Sequence, residues 1–149
     1  MARVFISHSS NNNELAAEVW GWLKGDGHDV FLDYDRHDGI EGGDQWEERL
    51  YERLRWADVV ICLVTDDYVT SRWCFGEIVA AKTLGNKILP LTAKKRARHP
   101  LLENLQNITY HGAQPKAQEQ ICEMLREIDA TGGVAGWPVT VSQSPRVRC

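Results

Sequence analysis

A carboxylate, an indole and a thiol share one short run, "SRWCFGE", residues 71–77. A glutamate in a helix can serve as a general base, as a nucleophile at a glycosidic carbon, or as a fixed negative charge facing a developing cation. A tryptophan one turn away offers a flat face on which a base or a cationic ring can stack. A helical step of about 100° places Glu77 about 40° and Leu84 about 20° from Trp73, with Ala80 and Ala81 flanking them. Phe75, Ile78 and Val79 project to the other side, where packing is expected. Ser71 can cap the helix. A carboxylate on such a stripe costs several kcal/mol, on the order of an unpaired buried charge, unless it is paired or solvated in a cleft. Periodicity alone leaves open a salt bridge to Lys82 or Arg72, an edge position facing water, or a site. Cys74 has no evident base beside it and reads as a small buried hydrophobe.

The second polar run is "SHSSNNN", residues 7–13, which can donate to an anionic group near a helix N-terminus. The remaining chemistry is sparse. Four cysteines at 62, 74, 122 and 149 form no C-x-x-C pair. They argue against a zinc site or a disulfide framework and for thiols in a cytosolic protein. The five histidines fall in no metal-binding spacing, so no metal is expected. A net charge of -4 gives no general case for nucleic acid. The short basic run "KKRARH", residues 94–99, reads as a solvated loop, with phosphate or partner contact as the other possibility. "MARVFISHSS" has no long apolar stretch, so neither a signal peptide nor a membrane span is expected, and a cytoplasmic location follows.

The elements that must position these groups follow from apolar spacing. The chain has 149 residues, 43% hydrophobic and 26% charged, which suits one globular domain. Apolar runs at 4–7, 29–34, 58–65, 87–92 and 107–111 alternate with segments of helical period. Leu15, Val19, Trp22 and Leu23 form one helical face, with Asn12 or Asn13 available to cap. Trp46, Leu50 and Leu54 form another, with Asp44 and Glu47 resembling a capping box. Gly85 before Asn86 suits a left-handed helix stop. "HPLLENL" hints at a short helical turn, and a last helix is expected from about Pro115 to Asp129. Alternation of this kind predicts an α/β, flavodoxin-like three-layer fold, a five-stranded parallel sheet of order 2-1-3-4-5 with helices on both faces. Residues 131–149 lose periodicity and read as a linker or tail, leading to a further domain beyond the sequence; the folded domain is residues 1–130. In a sheet of that order, ligands bind past the carboxyl ends of strands one and three. "SHSSNNN" and "TDDYVTS" leave those two ends, and the second leads into the helix that carries Glu77.

"VFISHSS", "FLDYDRHDGIEGGDQW" and "SRWCFGE", in this order, resemble the Toll/interleukin-1 receptor (TIR) domain, over roughly residues 2–129. The resemblance is to the bacterial-type members competent to cleave NAD⁺ at the nicotinamide–ribose bond. It implies an NAD⁺ glycohydrolase or cyclase that acts when TIR domains assemble, in bacterial antiphage signalling. By resemblance Glu77 is the catalytic carboxylate. Phe5, Ser7, His8, Ser9, Asp33, Ser71, Trp73 and Cys74 line the substrate site, with Phe5 or Ile6 as floor and Ser10 at the first loop. The segment 35–43, with Arg36, Asp38, Gly39, Ile40, Gly42 and Gly43, resembles the BB loop that mediates assembly. NAD⁺ is then substrate, no cofactor is required, and the partners are other TIR domains, with neither nucleic acid nor membrane. Nicotinamide leaves as a neutral molecule, so no general acid is needed; a carboxylate answers the positive charge left on the ribose. No G-x-G-x-x-G or Walker A run is present, so a Rossmann binding mode is not expected. A receiver domain shares the fold but needs acidic residues where this chain has "SHSS". A nucleoside deoxyribosyltransferase shares both the fold and a glutamate acting on an N-glycosidic bond. The non-enzymatic alternative is a TIR scaffold that binds other TIR domains through the BB loop.

Overall fold

The computed structural model describes residues 2–32 and 44–131, with side chains described for 2–32 and 48–128. Strands β1 (Arg3–Ser7), β2 (Asp29–Leu32), β3 (Val59–Val64), β4 (Lys87–Thr92) and β5 (Ile108–Thr109) form one sheet of order β2-β1-β3-β4-β5. All four pairings are parallel. Helices α1 (Asn13–Gly25), α2 (Asp44–Trp56), α3 (Asp66–Thr70), α4 (Arg72–Thr83) and α5 (Gln114–Thr131) fill the connections. This is the flavodoxin-like arrangement that the spacing of apolar runs predicts.

Alternation along the strands divides the core into two layers. Val4, Ile6, Ile61, Leu63, Leu89 and Leu91 face one side, where they meet Ala16, Val19 and Leu23 of α1 and Ile121, Met124 and Leu125 of α5. Phe5, Val60, Cys62, Val64 and Ile88 face the other, against Leu50 and Leu54 of α2 and Ile78 and Ala81 of α4. Every residue of β3 is buried, as a strand covered on both faces requires.

The ends of the elements repeat the logic on a smaller scale. Gly85 takes φ +75° and closes α4, and Asn86 Nδ2 then donates to Leu54 O at 2.8 Å, tying the end of α2 to the end of α4. Pro100–Leu102 form the short helical turn expected in "HPLLENL". β5 spans two residues, fewer than the run 107–111 suggests: Tyr110 N and His111 N both donate to Thr92 O, the last residue of β4, so the ladder ends there, and the Tyr110 hydroxyl donates to Glu18 of α1.

Two expectations need correction. The Asn12 side chain makes no capping bond to α1. Its Oδ1 instead accepts from Thr65 Oγ1 at 2.7 Å, linking the loop after β1 to the loop after β3. Phe75 and Val79 do not face packing: they are 51% and 42% exposed, while Ile78 alone of that trio is buried. Phe75 and Val79 share a flank of α4 that stays largely exposed, with the His99 ring 6.1 Å from Phe75, whereas Ile78 packs into the core with Cys74 and Ala81. Trp46 and the Asp44/Glu47 capping pattern lie outside the described side chains, and the tail from 132 onward lies outside the described residues.

Candidate active site

Ser7 ends β1 and pairs in register with Cys62 of β3. Because side chains alternate, Ser7 points to the same layer as Phe5, toward α4. Its hydroxyl donates to Glu77 Oε1 at 2.7 Å. The sheet therefore delivers a donor to the glutamate, and both lie at the carboxyl end of β1, beside β3, where the strand order reverses. Glu77 is only 2% exposed.

Tyr68 completes the cluster. Its hydroxyl is 2.8 Å from Ser7 Oγ, and the whole residue is buried. Ser7 has a single proton, which goes to Glu77, so Tyr68 O–H is the donor to Ser7 Oγ. A chain of donors thus runs from Tyr68 through Ser7 to the Glu77 carboxylate, with each link pointing at the negative charge. Burial, then the neighbouring Cys62, Cys74 and Glu77, holds the Tyr68 phenol well above its ordinary value. Burial likewise pushes the Cys62 thiol up to about 12, with Glu77 adding to it. Both groups stay protonated, so neither serves as a base.

Tyr68 is the residue that sequence reasoning missed, because "TDDYVTS" reads as a loop. The structure makes it α3, capped by Thr65, whose Oγ1 accepts from Tyr68 N at 3.1 Å. Thr65 followed by two aspartates is a helix-start signal, an N-cap with acidic residues in the first turn. α3 is one short turn, and its packing turns Tyr68 inward beneath α4.

The other candidates divide clearly. His8 is buried, and its Nε2–H donates to Asn13 Oδ1 at 2.9 Å, which fastens the loop to the start of α1. Ser9 is buried and caps the short 3-10 turn Ser10–Asn12 by accepting from Asn11 N at 3.2 Å. These two side chains hold the loop's own shape. Phe5 lies in the floor against Phe31, ring centroids 5.5 Å apart, with the Arg53 guanidinium 4.3 Å over Phe31. Ile6 faces the opposite layer, so the floor beneath Ser7 and Glu77 is Phe5. Ser71 caps α4, accepting from Cys74 N at 3.1 Å. Cys74 is fully buried among apolar residues, and Trp73 is half-buried in the first turn of α4. Asp33, Arg36, Asp38, Gly39, Ile40, Gly42 and Gly43 lie outside the described residues. Among the described residues no group of three or more His, Cys, Asp or Glu side chains could hold a metal ion, and no helix is long and apolar enough to cross a membrane.

A doubly wound α/β domain with a buried, serine-held glutamate at its switch point is the class that these elements define. The chain belongs to the TIR domain family, whose model matches residues 4–125. Among solved structures it is similar to the TIR domain of a Toll-related receptor from Hydra magnipapillata, with TM-score 0.69 and 14% identity over 85% of this chain and 99% of that one. It is also similar to a CMP N-glycosidase from Clostridium botulinum, with TM-score 0.58 and 21% identity over 78% of this chain and 96% of that one. At such identities the likeness speaks for the fold alone. A comparison with curated proteins finds no match.

Proposed function

We propose that this TIR domain cleaves the nicotinamide–ribose bond of NAD⁺, releasing nicotinamide and ADP-ribose or a cyclic form of it, in a bacterial immune response, with Glu77 as the catalytic carboxylate. The observation that carries the reading is the Ser7–Glu77 hydrogen bond of 2.7 Å at the switch point. Loss of neutral nicotinamide leaves positive charge on the ribose, and a carboxylate fixed in a low-dielectric site stabilises that charge at no reorganisation cost. Ser7, itself held by Tyr68, fixes the carboxylate in place through Oε1. Phe5 supplies the apolar floor and Trp73 a stacking face. The Clostridium botulinum neighbour is by name an enzyme of an N-glycosidic bond. The fold thus accommodates that class of chemistry.

With Glu77 only 2% exposed, substrate reaches it only after the surrounding side chains yield. Assembly with other TIR domains is the proposed trigger, so the isolated domain is expected to be slow and the clustered domain active. Chromatography of NAD⁺ incubated with protein clustered on a scaffold tests this. Release of nicotinamide supports the reading and separates linear from cyclic products. Assembly without any NAD⁺ loss supports the scaffold alternative instead.

A further inference from the structure

A second concave surface lies past the carboxyl ends of β4 and β5, two strands away from Ser7. It encloses about 630 Å³ and is lined by Lys94, Lys95, Arg96, Arg98, Thr109 and His111 among others, with no carboxylate in its lining. All four cations are exposed. Among the described residues none of the four is in an ion pair, although the chain as a whole carries a net charge of -4. Four like charges gathered on one concave wall repel one another, and nothing in the wall offsets them.

The segment is not a slack loop. Ala93 N donates to Val64 O at 2.9 Å, which anchors its start to β3. Ala97 N donates to Lys94 O at 3.1 Å, closing a tight turn, and the Ala97 side chain is buried. His99 follows, buried, with Nδ1 accepting from Leu101 N at 3.1 Å. Arg96 sits inside the turn at φ +67°, a left-handed conformation that favours glycine. A long cationic side chain kept where glycine is easier points to a use for the charge. We infer that the groove formed by Lys94, Lys95, Arg96 and Arg98 binds the diphosphate group of a small phosphate-bearing ligand. Two phosphoryl groups joined by an anhydride oxygen present several acceptor oxygens and about three negative charges, which match four donors held on an ordered turn. The lining has hydroxyl and imidazole donors in Thr109 and His111 but no Phe, Trp or Tyr to stack a run of bases, which favours a small ligand over a polynucleotide. This site is independent of the chemistry proposed at Glu77.

The test is titration of the folded chain with inorganic pyrophosphate at low ionic strength, followed by calorimetry and by amide chemical shifts. The expected result is saturable binding, with shifts centred on residues 94–98 and 109–111, that weakens as salt rises. Arg96→Gly keeps the turn and removes the charge. It should weaken binding about tenfold while the thermal midpoint stays level or rises. Lys94→Gln with Arg98→Gln should weaken it further, and Glu77→Gln should leave it unchanged. ADP included as a second ligand distinguishes a bare diphosphate, bound equally well, from a nucleotide, bound more tightly through its nucleoside. Absence of saturable binding, full binding by the Lys94→Gln/Arg98→Gln protein, or tighter binding of a single-stranded oligonucleotide than of pyrophosphate would each overturn the inference.

Discussion

Replacing Ser7 with alanine removes the middle of the hydrogen-bond chain that ends at Glu77. Two buried groups lose a partner at once: the Glu77 carboxylate loses the Ser7 hydroxyl at 2.7 Å, and the Tyr68 hydroxyl loses the same oxygen as acceptor at 2.8 Å. A hydrogen bond to a charged group contributes about 1.5–3 kcal/mol and a neutral one about 0.5–1.5. With little volume removed, Ser7→Ala is expected to destabilise the domain by about 2–4 kcal/mol. For a domain of this size that is a fall in midpoint of about 5–10 °C. Tyr68→Phe breaks only the outer link and leaves Ser7 on the carboxylate, so it should cost about 1 kcal/mol. Urea unfolding of both single variants and the double variant completes the cycle. The double variant should be less destabilised than the sum of the singles, by about 1 kcal/mol, because the second change removes a link already broken. In clustered protein, Ser7→Ala should also slow NAD⁺ loss by about tenfold, through misplacement of the carboxylate. A Ser7→Ala cost below about 0.5 kcal/mol, or strict additivity with Tyr68→Phe, would refute the relay.

Three further outcomes follow from burial. Burial, reinforced by Lys82, holds the His99 imidazole below its ordinary value of 6.5, and its Nδ1 already accepts from Leu101 N. Since the folded state binds this proton less readily than the unfolded chain, the contribution of His99 is present above about pH 6.5. It is lost as pH falls toward the lowered folded value, so the urea midpoint should drop between about pH 7 and pH 5, and His99→Gln should flatten that drop. The Cys62 thiol, pushed up to about 12, should escape iodoacetamide at pH 8 in the folded protein and react on unfolding, as peptide mass spectrometry would show. Phe75→Ser with Val79→Ser should change stability by less than about 0.5 kcal/mol per site, because both side chains already face solvent; a larger loss in a thermal melt would mean that this flank is packed after all.

Part of the site could be read from the chain because it depends on helical period and strand order. The step of about 100° placed Glu77 beside Trp73, and the strand order set the loop after strand one next to their helix; that Ser7 shares the layer of Phe5 and not of Ile6 shows only in the folded sheet. What stayed hidden depends on partners and not on period. Tyr68 lies in a stretch too short and polar to show helical spacing, and its inward direction comes from the Thr65 cap and from contact beneath α4. Asn12 and Asn13 have the right type to cap α1, yet Thr65 and His8, distant or turned back upon them, claim their oxygens. Phe75 and Val79 show the complementary failure: angular position on a helix says which residues share a face, never whether anything covers it. The basic run 94–99 reads as solvated, and its charges are exposed. Only the tight turn at Lys94–Ala97 and the concave wall around it give those charges a common direction.

The central claim is that the buried charge of Glu77 performs chemistry. Glu77→Gln isolates it, since the amide oxygen still accepts from Ser7 while the negative charge is gone. The decisive measurement is nicotinamide release from NAD⁺ by clustered wild-type and Glu77→Gln proteins, with both confirmed folded by thermal melt. The account predicts turnover by the wild-type protein and a loss of at least about a hundredfold in the variant, which keeps its fold. Equal turnover by the two folded proteins would contradict it.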